Sequence, residues 1–81
     1  MMWYVYIVEC RDNSLYTGIS TNVFRRVSEH KSKIGAKSLR GKIPVKLVYF
    51  ERAENQVRAS KREREIKGWN KKKLKLILGL P

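Results

Sequence analysis

A single acidic residue stands out on a basic helical segment near the end of the sequence. Four residues at spacings of three, four and three lie along one face of this predicted helix: Gln56, Ala59, Glu63 and Ile66. Ala59 and Ile66 predict that this face turns towards the core, so Glu63 stands where an apolar side chain is expected. A carboxylate in such a place is costly unless it is paired with a cation. Two interpretations stay open: a salt bridge to a buried arginine, and a metal ligand or catalytic acid at the edge of a sheet.

A second pair of candidate residues lies on an earlier helical segment. Arg26 and His30 are four residues apart, so they share a face of the helix. The guanidinium of Arg26 can hold a phosphate through two hydrogen bonds. Its charge favours the neutral form of a neighbouring imidazole, which can then accept a proton. The alternative is structural, with Arg26 as one more solvated basic residue and His30 as an ordinary exposed or packed histidine.

Tyrosines on two predicted strands form a third group. Tyr4 and Tyr6 share one face of the first strand, and Tyr16 and Gly18 share one face of the second. Aromatic residues in strands usually pack in a core, whereas a glycine at the end of a strand indicates close approach of a substrate or another chain. Tyr6 and Tyr16 face the same side only if the loop between the strands has an odd number of residues or contains a bulge.

The elements that must position these residues follow the order β-β-α-β-α-α. Runs of β-branched and aromatic residues predict the strands, turn-forming residues separate the first two, and Ser, Asn and Gly mark helix ends. A long basic loop over 31–44 precedes the third strand. The pattern predicts an α/β fold that opens with a β-hairpin. The predicted strands cover 3–9, 15–19 and 45–50. The first predicted helix begins at Val23, and the other two cover 55–67 and 71–78.

Length and charge limit the class of protein. A chain of 81 residues has room for one domain, residues 1–81, with one modest core. Nineteen Lys and Arg against seven Asp and Glu give a net charge of +12, which attracts polyanions. Nucleic acid is the commonest such partner, because binding to phosphates releases counterions. An anionic membrane surface or an acidic protein fits the charge alone equally well.

The cysteine content and the N-terminal segment argue against disulfide-linked, zinc-finger and membrane-spanning proteins. One cysteine and one histidine can form neither an intrachain disulfide nor a zinc-finger type of site, and they are typical of a reducing, cytoplasmic setting. The apolar run that starts the sequence is too short to span a bilayer and lacks the features of a signal peptide. We therefore expect no membrane association and infer no obligate protein partner.

Together these residues resemble the GIY-YIG nuclease superfamily. Its first signature element is present in altered form as Tyr4-Val5-Tyr6, and its second is present as Tyr16-Thr17-Gly18. Residues 22–30 are similar to the helix that carries the family's arginine, and residues 59–69 are similar to the helix that carries its metal-binding glutamate. The ordered set covers nearly the whole chain, and it is most similar to the small, single-domain, bacterial YhbQ-like members.

The resemblance implies a fold, a cofactor and site residues. The fold would be a small three-stranded antiparallel sheet flanked by helices, and the cofactor one divalent ion, Mg²⁺ or Mn²⁺. Tyr6 and Tyr16 would be the signature tyrosines, Arg26 the family's arginine and Glu63 the metal ligand. Because Ile19 stands where some relatives carry a lysine near the nucleophile, His30 joins Tyr6 as a candidate general base.

The expected function is hydrolysis of phosphodiester bonds in DNA by a structure-directed or backbone-directed endonuclease. The alternative is a nucleic-acid-binding module without catalysis, and a third possibility is a domain that recruits an acidic protein. Under the first two hypotheses, eight basic residues are predicted to contact the nucleic acid: Lys31, Lys33, Lys37, Arg40, Lys42, Lys67, Lys71 and Lys72.

Overall fold

The apolar run near the start of the sequence becomes the central strand of the fold. In the computed structural model, which describes residues 2–31 and 46–79, β1 (Trp3–Glu9) has four consecutive buried residues, 5–8. It pairs antiparallel with β2 (Leu15–Ser20) on one side and β3 (Lys46–Ala53) on the other, so the sheet order is β2-β1-β3. A strand that is covered on both faces needs apolar residues at successive positions, which explains why the run is continuous.

Three helices complete the fold: α1 (Val23–Lys31), α2 (Gln56–Lys67) and α3 (Lys71–Leu78). The order β-β-α-β-α-α and the antiparallel three-stranded sheet flanked by helices confirm the predicted fold class. The predicted basic loop lies outside the described residues, apart from Lys31 at the end of α1. For positions 30, 31 and 71 the structure describes the helical backbone but not the side chain.

Different helices cover the two faces of the sheet. On one face, β1 and the start of the hairpin turn pack with α1 in a cluster of buried residues: Tyr6, Val8, Cys10, Val23 and Val27. On the other face, β1 packs with α2 and α3 in a second cluster: Val5, Ile7, Ala59, Ile66 and Leu74. The alternation of side chains along β1 therefore divides the core into two layers and places Tyr6 in the layer under α1.

Asparagine side chains cap all three helices of the described part. The Oδ1 atoms of Asn22, Asn55 and Asn70 accept hydrogen bonds from backbone N–H groups three residues later, at 3.0, 2.9 and 2.8 Å. Each bond satisfies one of the N–H groups that a helix leaves without a partner at its start. Asn70 was predicted as a cap from its position between Gly68 and the last helix, and the structure confirms it.

The third strand extends three residues beyond the predicted end at Phe50. Two charged residues, Glu51 and Arg52, continue the pairing with β1 as far as Ala53. The Glu51 carboxylate is accommodated because it accepts hydrogen bonds from Tyr49 Oη at 2.8 Å and from Arg62 Nε, at 3.1 Å to each oxygen. Arg52 remains exposed. The prediction ended the strand too early because Glu51 looks like a loop residue until its partner on α2 is known.

Arg62 fixes α2 against the sheet and against the turn that follows. Besides Glu51 on β3, its guanidinium contacts Glu65 Oε1 at 2.7 Å and lies 5.1 Å from the ring centroid of Trp69. Lys73 Nζ lies 4.6 Å from the same ring centroid, so two cations contact the indole. Burial lowers the pKa of Arg62, but its hydrogen bond and charge interaction with Glu51 lead to a net increase. These contacts set the position of α2, and with it the position of the neighbouring Glu63.

Gly18 is required by the side chain that faces it. It pairs with Tyr6 across the hairpin. A Cβ atom at Gly18 would lie 2.6 Å from the Tyr6 hydroxyl oxygen and 2.8 Å from Cζ, which is closer than the ring can tolerate. The sequence suggested that a substrate or another chain approaches this glycine, but the structure shows that the group in contact is the ring of Tyr6 from the same hairpin.

Replacing Gly18 with alanine is therefore expected to displace the Tyr6 ring and to lower the free energy of unfolding by about 1–3 kcal/mol, the usual cost of overpacking. Denaturant titration measures the change. In a Tyr6→Leu background the clashing atoms are missing, so the penalty of Gly18→Ala should largely disappear. An equal penalty in both backgrounds would show that the backbone, and not the ring, requires glycine here.

Candidate functional site

The hairpin places Tyr6 and Tyr16 on one face of the sheet. Glu9 pairs with Leu15, which leaves five loop residues, 10–14, and satisfies the odd-number condition. In this register Tyr6 faces Gly18 and Val8 faces Tyr16, so Tyr6 and Tyr16 are diagonal neighbours across the strands.

The loop conformation explains the register. The backbone N–H of Asn13 donates to the Cys10 carbonyl at 2.9 Å, and Asn13 adopts a left-handed φ of 67°, which asparagine tolerates better than most residues. Asp12 Oδ1 accepts hydrogen bonds from the backbone N–H and the hydroxyl of Ser14, at 3.0 and 2.6 Å. The turn predicted at 11–14 is therefore present, and its side chains stabilise the five-residue connection.

Arg26 reaches the same face from α1. Val23 and Val27 bury one side of this helix, and the side chain of Arg26 remains 35% exposed. Its guanidinium donates a hydrogen bond to the Tyr6 hydroxyl and forms a longer ion pair with Glu29 Oε1 at 3.5 Å. Burial lowers the pKa of Arg26, yet the interactions with Tyr6 and Glu29 produce a net increase. Arg26 is therefore permanently charged and still accessible to an anion.

Tyr6 is almost completely buried, with a relative exposure of 1%. Burial raises its pKa to about 12, and the nearby Tyr16 and Glu63 contribute in the same direction, whereas the hydrogen bond and charge of Arg26 oppose the increase. Near neutral pH Tyr6 is therefore an uncharged phenol. Its proton is influenced by charges from three other elements, through Tyr16 on β2, Arg26 on α1 and Glu63 on α2.

Glu63 projects from α2 close enough to Tyr6 for its charge to act on the phenol. Its side chain is 24% exposed, so it is neither in bulk water nor sealed in the core. The carboxylate forms an ion pair with Lys67 at 3.6 Å, and Lys67 is 53% exposed. Within residues 2–31 and 46–79, its ion pair is thus with a surface lysine one helical turn away, not with the buried arginine of the alternative interpretation.

The donor set around Glu63 is compatible with a weakly held divalent ion. Carboxylate oxygen is a ligand that Mg²⁺ and Mn²⁺ prefer. Among the side chains that the structure describes, no three His, Cys, Asp or Glu come together into a multi-ligand metal cluster. Glu63 would therefore hold such an ion as one protein ligand, with oxygens of water and substrate as the others.

The structure assigns places to only part of the predicted binding surface. Lys67 ends α2 beside Glu63, and Lys72 is exposed on the first turn of α3. Lys33, Lys37, Arg40 and Lys42 lie outside the described residues. His30, Lys31 and Lys71 belong to the helices, but their side chains are not described.

Two partners of the candidate site residues were missed in the sequence. Glu29 pairs with Arg26 at a spacing of three, and Lys67 pairs with Glu63 at a spacing of four. Both spacings are typical of ion pairs along a helix and could have been used to find them.

No helix within residues 2–31 and 46–79 has the length and hydropathy to cross a membrane.

Comparison with known proteins shows the family to which the chain is similar. The family model described as the GIY-YIG catalytic domain matches residues 2–75. A UPF0213 protein of Haloquadratum walsbyi is 54% identical over 70 residues, covering 86% of this chain and 79% of the relative. A UPF0213 protein of Clostridium perfringens is 51% identical over 77 residues, covering 94% and 83%. The solution NMR structure of a UPF0213 protein from Bacillus halodurans is similar with a TM-score of 0.62 at 39% identity, covering 98% of this chain and 84% of that one.

The pKa of Tyr6 makes stability depend on pH in the alkaline range. The folded chain keeps the Tyr6 proton up to about pH 12, whereas the unfolded chain releases it near pH 10.0. The stability that this difference contributes is fully present below pH 10.0 and is lost as the pH rises through 12. We expect the wild type to lose about 2 to 3 kcal/mol more than a Tyr6→Phe variant over this range. Denaturant titrations at increasing pH measure it, and parallel stability curves for the two proteins would contradict the assignment.

Proposed function

The chain belongs to the GIY-YIG family, and we propose that it is a metal-dependent endonuclease that hydrolyses phosphodiester bonds of DNA. The observation that carries this proposal is that Arg26 from α1 and Glu63 from α2 both act on the hydroxyl of Tyr6, in a protein with a net charge of +12. A buried phenol, an accessible guanidinium and a half-buried carboxylate form a set that suits phosphoryl chemistry, which depends on positioning and charge stabilisation.

Arg26 is proposed to bind the phosphate that is attacked. A guanidinium has five N–H donors, and the contacts with Tyr6 and Glu29 use only part of them. The hydrogen bond to Tyr6 orients the side chain before substrate arrives, so little rotational freedom is lost on binding. In this position Arg26 would stabilise the negative charge that develops on the phosphoryl oxygens.

Glu63 is proposed to hold the divalent ion. When bound, Mg²⁺ or Mn²⁺ would neutralise charge on the phosphate and on the leaving oxygen. The Glu63 carboxylate must first separate from Lys67, and their distance of 3.6 Å with Lys67 53% exposed indicates a weak ion pair. Lys67 is then free to contact the nucleic-acid backbone, which is the role that its position in the sequence suggested.

Tyr6 and His30 are the two candidates to accept the proton of the attacking water. With a pKa of about 12, Tyr6 is protonated at neutral pH and acts as a base only if positive charge near its hydroxyl stabilises the tyrosinate. The charge of Arg26 is already included in that pKa, so a further cation would be needed, and Tyr16 would orient the water or the phosphate. The dependence of the cleavage rate on pH separates the candidates: a histidine base gives a plateau above about pH 7, whereas a tyrosine base gives a rate that continues to rise.

The variant Glu63→Gln is expected to lose cleavage by about 100-fold or more, because it removes the charge that holds the ion. Its affinity for DNA should be retained or slightly higher, since a negative charge is removed from a basic surface. The assay compares single strands, duplexes, flaps and junctions with Mg²⁺ or Mn²⁺ titrated. Glu65→Gln is the matched control, because Glu65 is 57% exposed on the same helix and pairs with Arg62.

Two results would overturn the proposal. Cleavage by Glu63→Gln at the wild-type rate would exclude the metal-ligand role. Failure of the wild type to cut any of these substrates with either ion would leave the alternative of a nucleic-acid-binding module without catalysis.

Electrostatic contacts predict a steep dependence of DNA binding on salt. For each phosphate contact, the slope of log affinity against log salt changes by about one, so Lys72→Ala should reduce the slope by about one unit. Fluorescence anisotropy at several salt concentrations measures the slope, with Leu76→Ala as an uncharged exposed control on the same helix. A flat salt dependence for the wild type would instead favour an acidic protein as the partner.

A further inference from the structure

Two phenylalanine side chains are exposed beside the candidate site. Phe24, on the first turn of α1, is 75% exposed, and Phe50, on β3, is 53% exposed. Tyr4 contacts Phe50 in an edge-to-face arrangement, with ring centroids 6.3 Å apart and an interplanar angle of 66°. Together with Thr21, Asn22 and Val23, these rings line one surface depression. Tyr4, Phe24 and Phe50 form an aromatic patch.

The aromatic patch continues the face of the sheet that carries the candidate site. Phe50 pairs with Tyr6 across β1 and β3, so the two side chains lie on the same face. Tyr4 precedes Tyr6 by two residues on β1, a step of about 6.8 Å along the strand. This distance is about two rises of 3.4 Å in a stacked nucleic-acid strand. A base on the patch would therefore belong to a nucleotide close to the phosphate that Arg26 binds.

The charges around the patch favour a polyanion as the occupant. None of the six residues that line the depression is acidic. Arg25 follows Phe24 on α1 and is exposed, and Arg52 pairs with Tyr4 from β3 and is also exposed. Aromatic faces flanked by guanidinium groups are typical of surfaces that bind unpaired nucleotides, because the rings stack on bases while the cations contact the backbone.

From this arrangement we infer that the aromatic patch is a stacking site for an unpaired base of the substrate, one or two nucleotides from the cleaved bond. The inference rests on the proposed function, which supplies the substrate class, and it adds a preference for unpaired nucleotides. In a continuous duplex the faces of the bases are covered by their neighbours, so the patch selects single strands, frayed ends and flaps. It contacts the flat face of a base, which all four bases share, and therefore adds no sequence preference.

The test measures binding rather than cleavage, with an oligonucleotide that carries a fluorescent adenine analogue, both as a single strand and as a duplex. Glu63→Gln serves as the parent protein, and no divalent ion is added, so that cleavage does not disturb the titration. Phe24→Ala and Phe50→Ala should each weaken single-strand binding by about tenfold or more and leave duplex binding nearly unchanged. Both side chains are exposed, so neither change removes core packing.

Two further variants separate base stacking from the loss of any exposed apolar side chain. Leu76 is 75% exposed, like Phe24, but lies on α3, so Leu76→Ala should leave both affinities unchanged. Phe24→Leu keeps an apolar side chain without a π-face and should bind single strands nearly as weakly as Phe24→Ala. Quenching of the analogue on binding, which reports stacking, should be lost in the phenylalanine variants but not in Leu76→Ala.

Several outcomes would overturn the inference. Equal losses for single strand and duplex, or no loss at all, would show that the patch does not bind unpaired bases. A change in sedimentation of the phenylalanine variants without a change in DNA binding would identify the patch as a contact between two copies of the chain. If the wild type cuts DNA and the phenylalanine variants bind as the parent does, only this inference fails. If those variants lose single-strand binding while the wild type cuts nothing, the stacking site stands and the nuclease proposal falls.

Discussion

The contact between the ring of Tyr6 and the backbone of Gly18 is the constraint on which the candidate site depends. The five-residue turn sets the register, the register places a residue without a side chain opposite Tyr6, and the ring then fills the space. In this position the hydroxyl interacts with the guanidinium of Arg26 from α1 and with the charge of Glu63 from α2. The hairpin is therefore more than a scaffold, because its packing determines where the chemical groups of both helices come together.

Burial divides the tasks within the site. Tyr6 is 1% exposed, and burial is the largest reason that its pKa reaches about 12, so it is better suited to orienting other groups than to direct exchange with solvent. Arg26 and Glu63, at 35% and 24% exposure, keep part of their surface open to substrate. A buried neutral phenol that accepts a hydrogen bond from arginine avoids the cost of a buried charge and still fixes the guanidinium in one orientation.

Local patterns predicted the order of elements and the cap at Asn70, because each depends on residues within a few positions of one another. The turn composition around 11–14 did not determine the number of loop residues, so it set only a condition under which Tyr6 and Tyr16 share a face. What could not be predicted arises from contacts between distant residues. The extension of β3 requires Arg62 to meet Glu51, eleven positions apart, and the reason for Gly18 lies on the opposite strand. The spacing of residues within one helix or strand shows which side chains share a face, but not which other element that face contacts.

The distribution of charge explains why a site of this kind needs more than electrostatics. Each of five glutamates is paired with a nearby cation: Glu29, Glu51, Glu54, Glu63 and Glu65. The acidic residues thus neutralise cations within the fold, and the net charge of +12 remains for the partner. Such a charge attracts any nucleic acid and cannot distinguish a paired strand from an unpaired one. Discrimination has to come from groups that contact the bases, and under the stacking proposal the aromatic patch would provide such groups without adding charge.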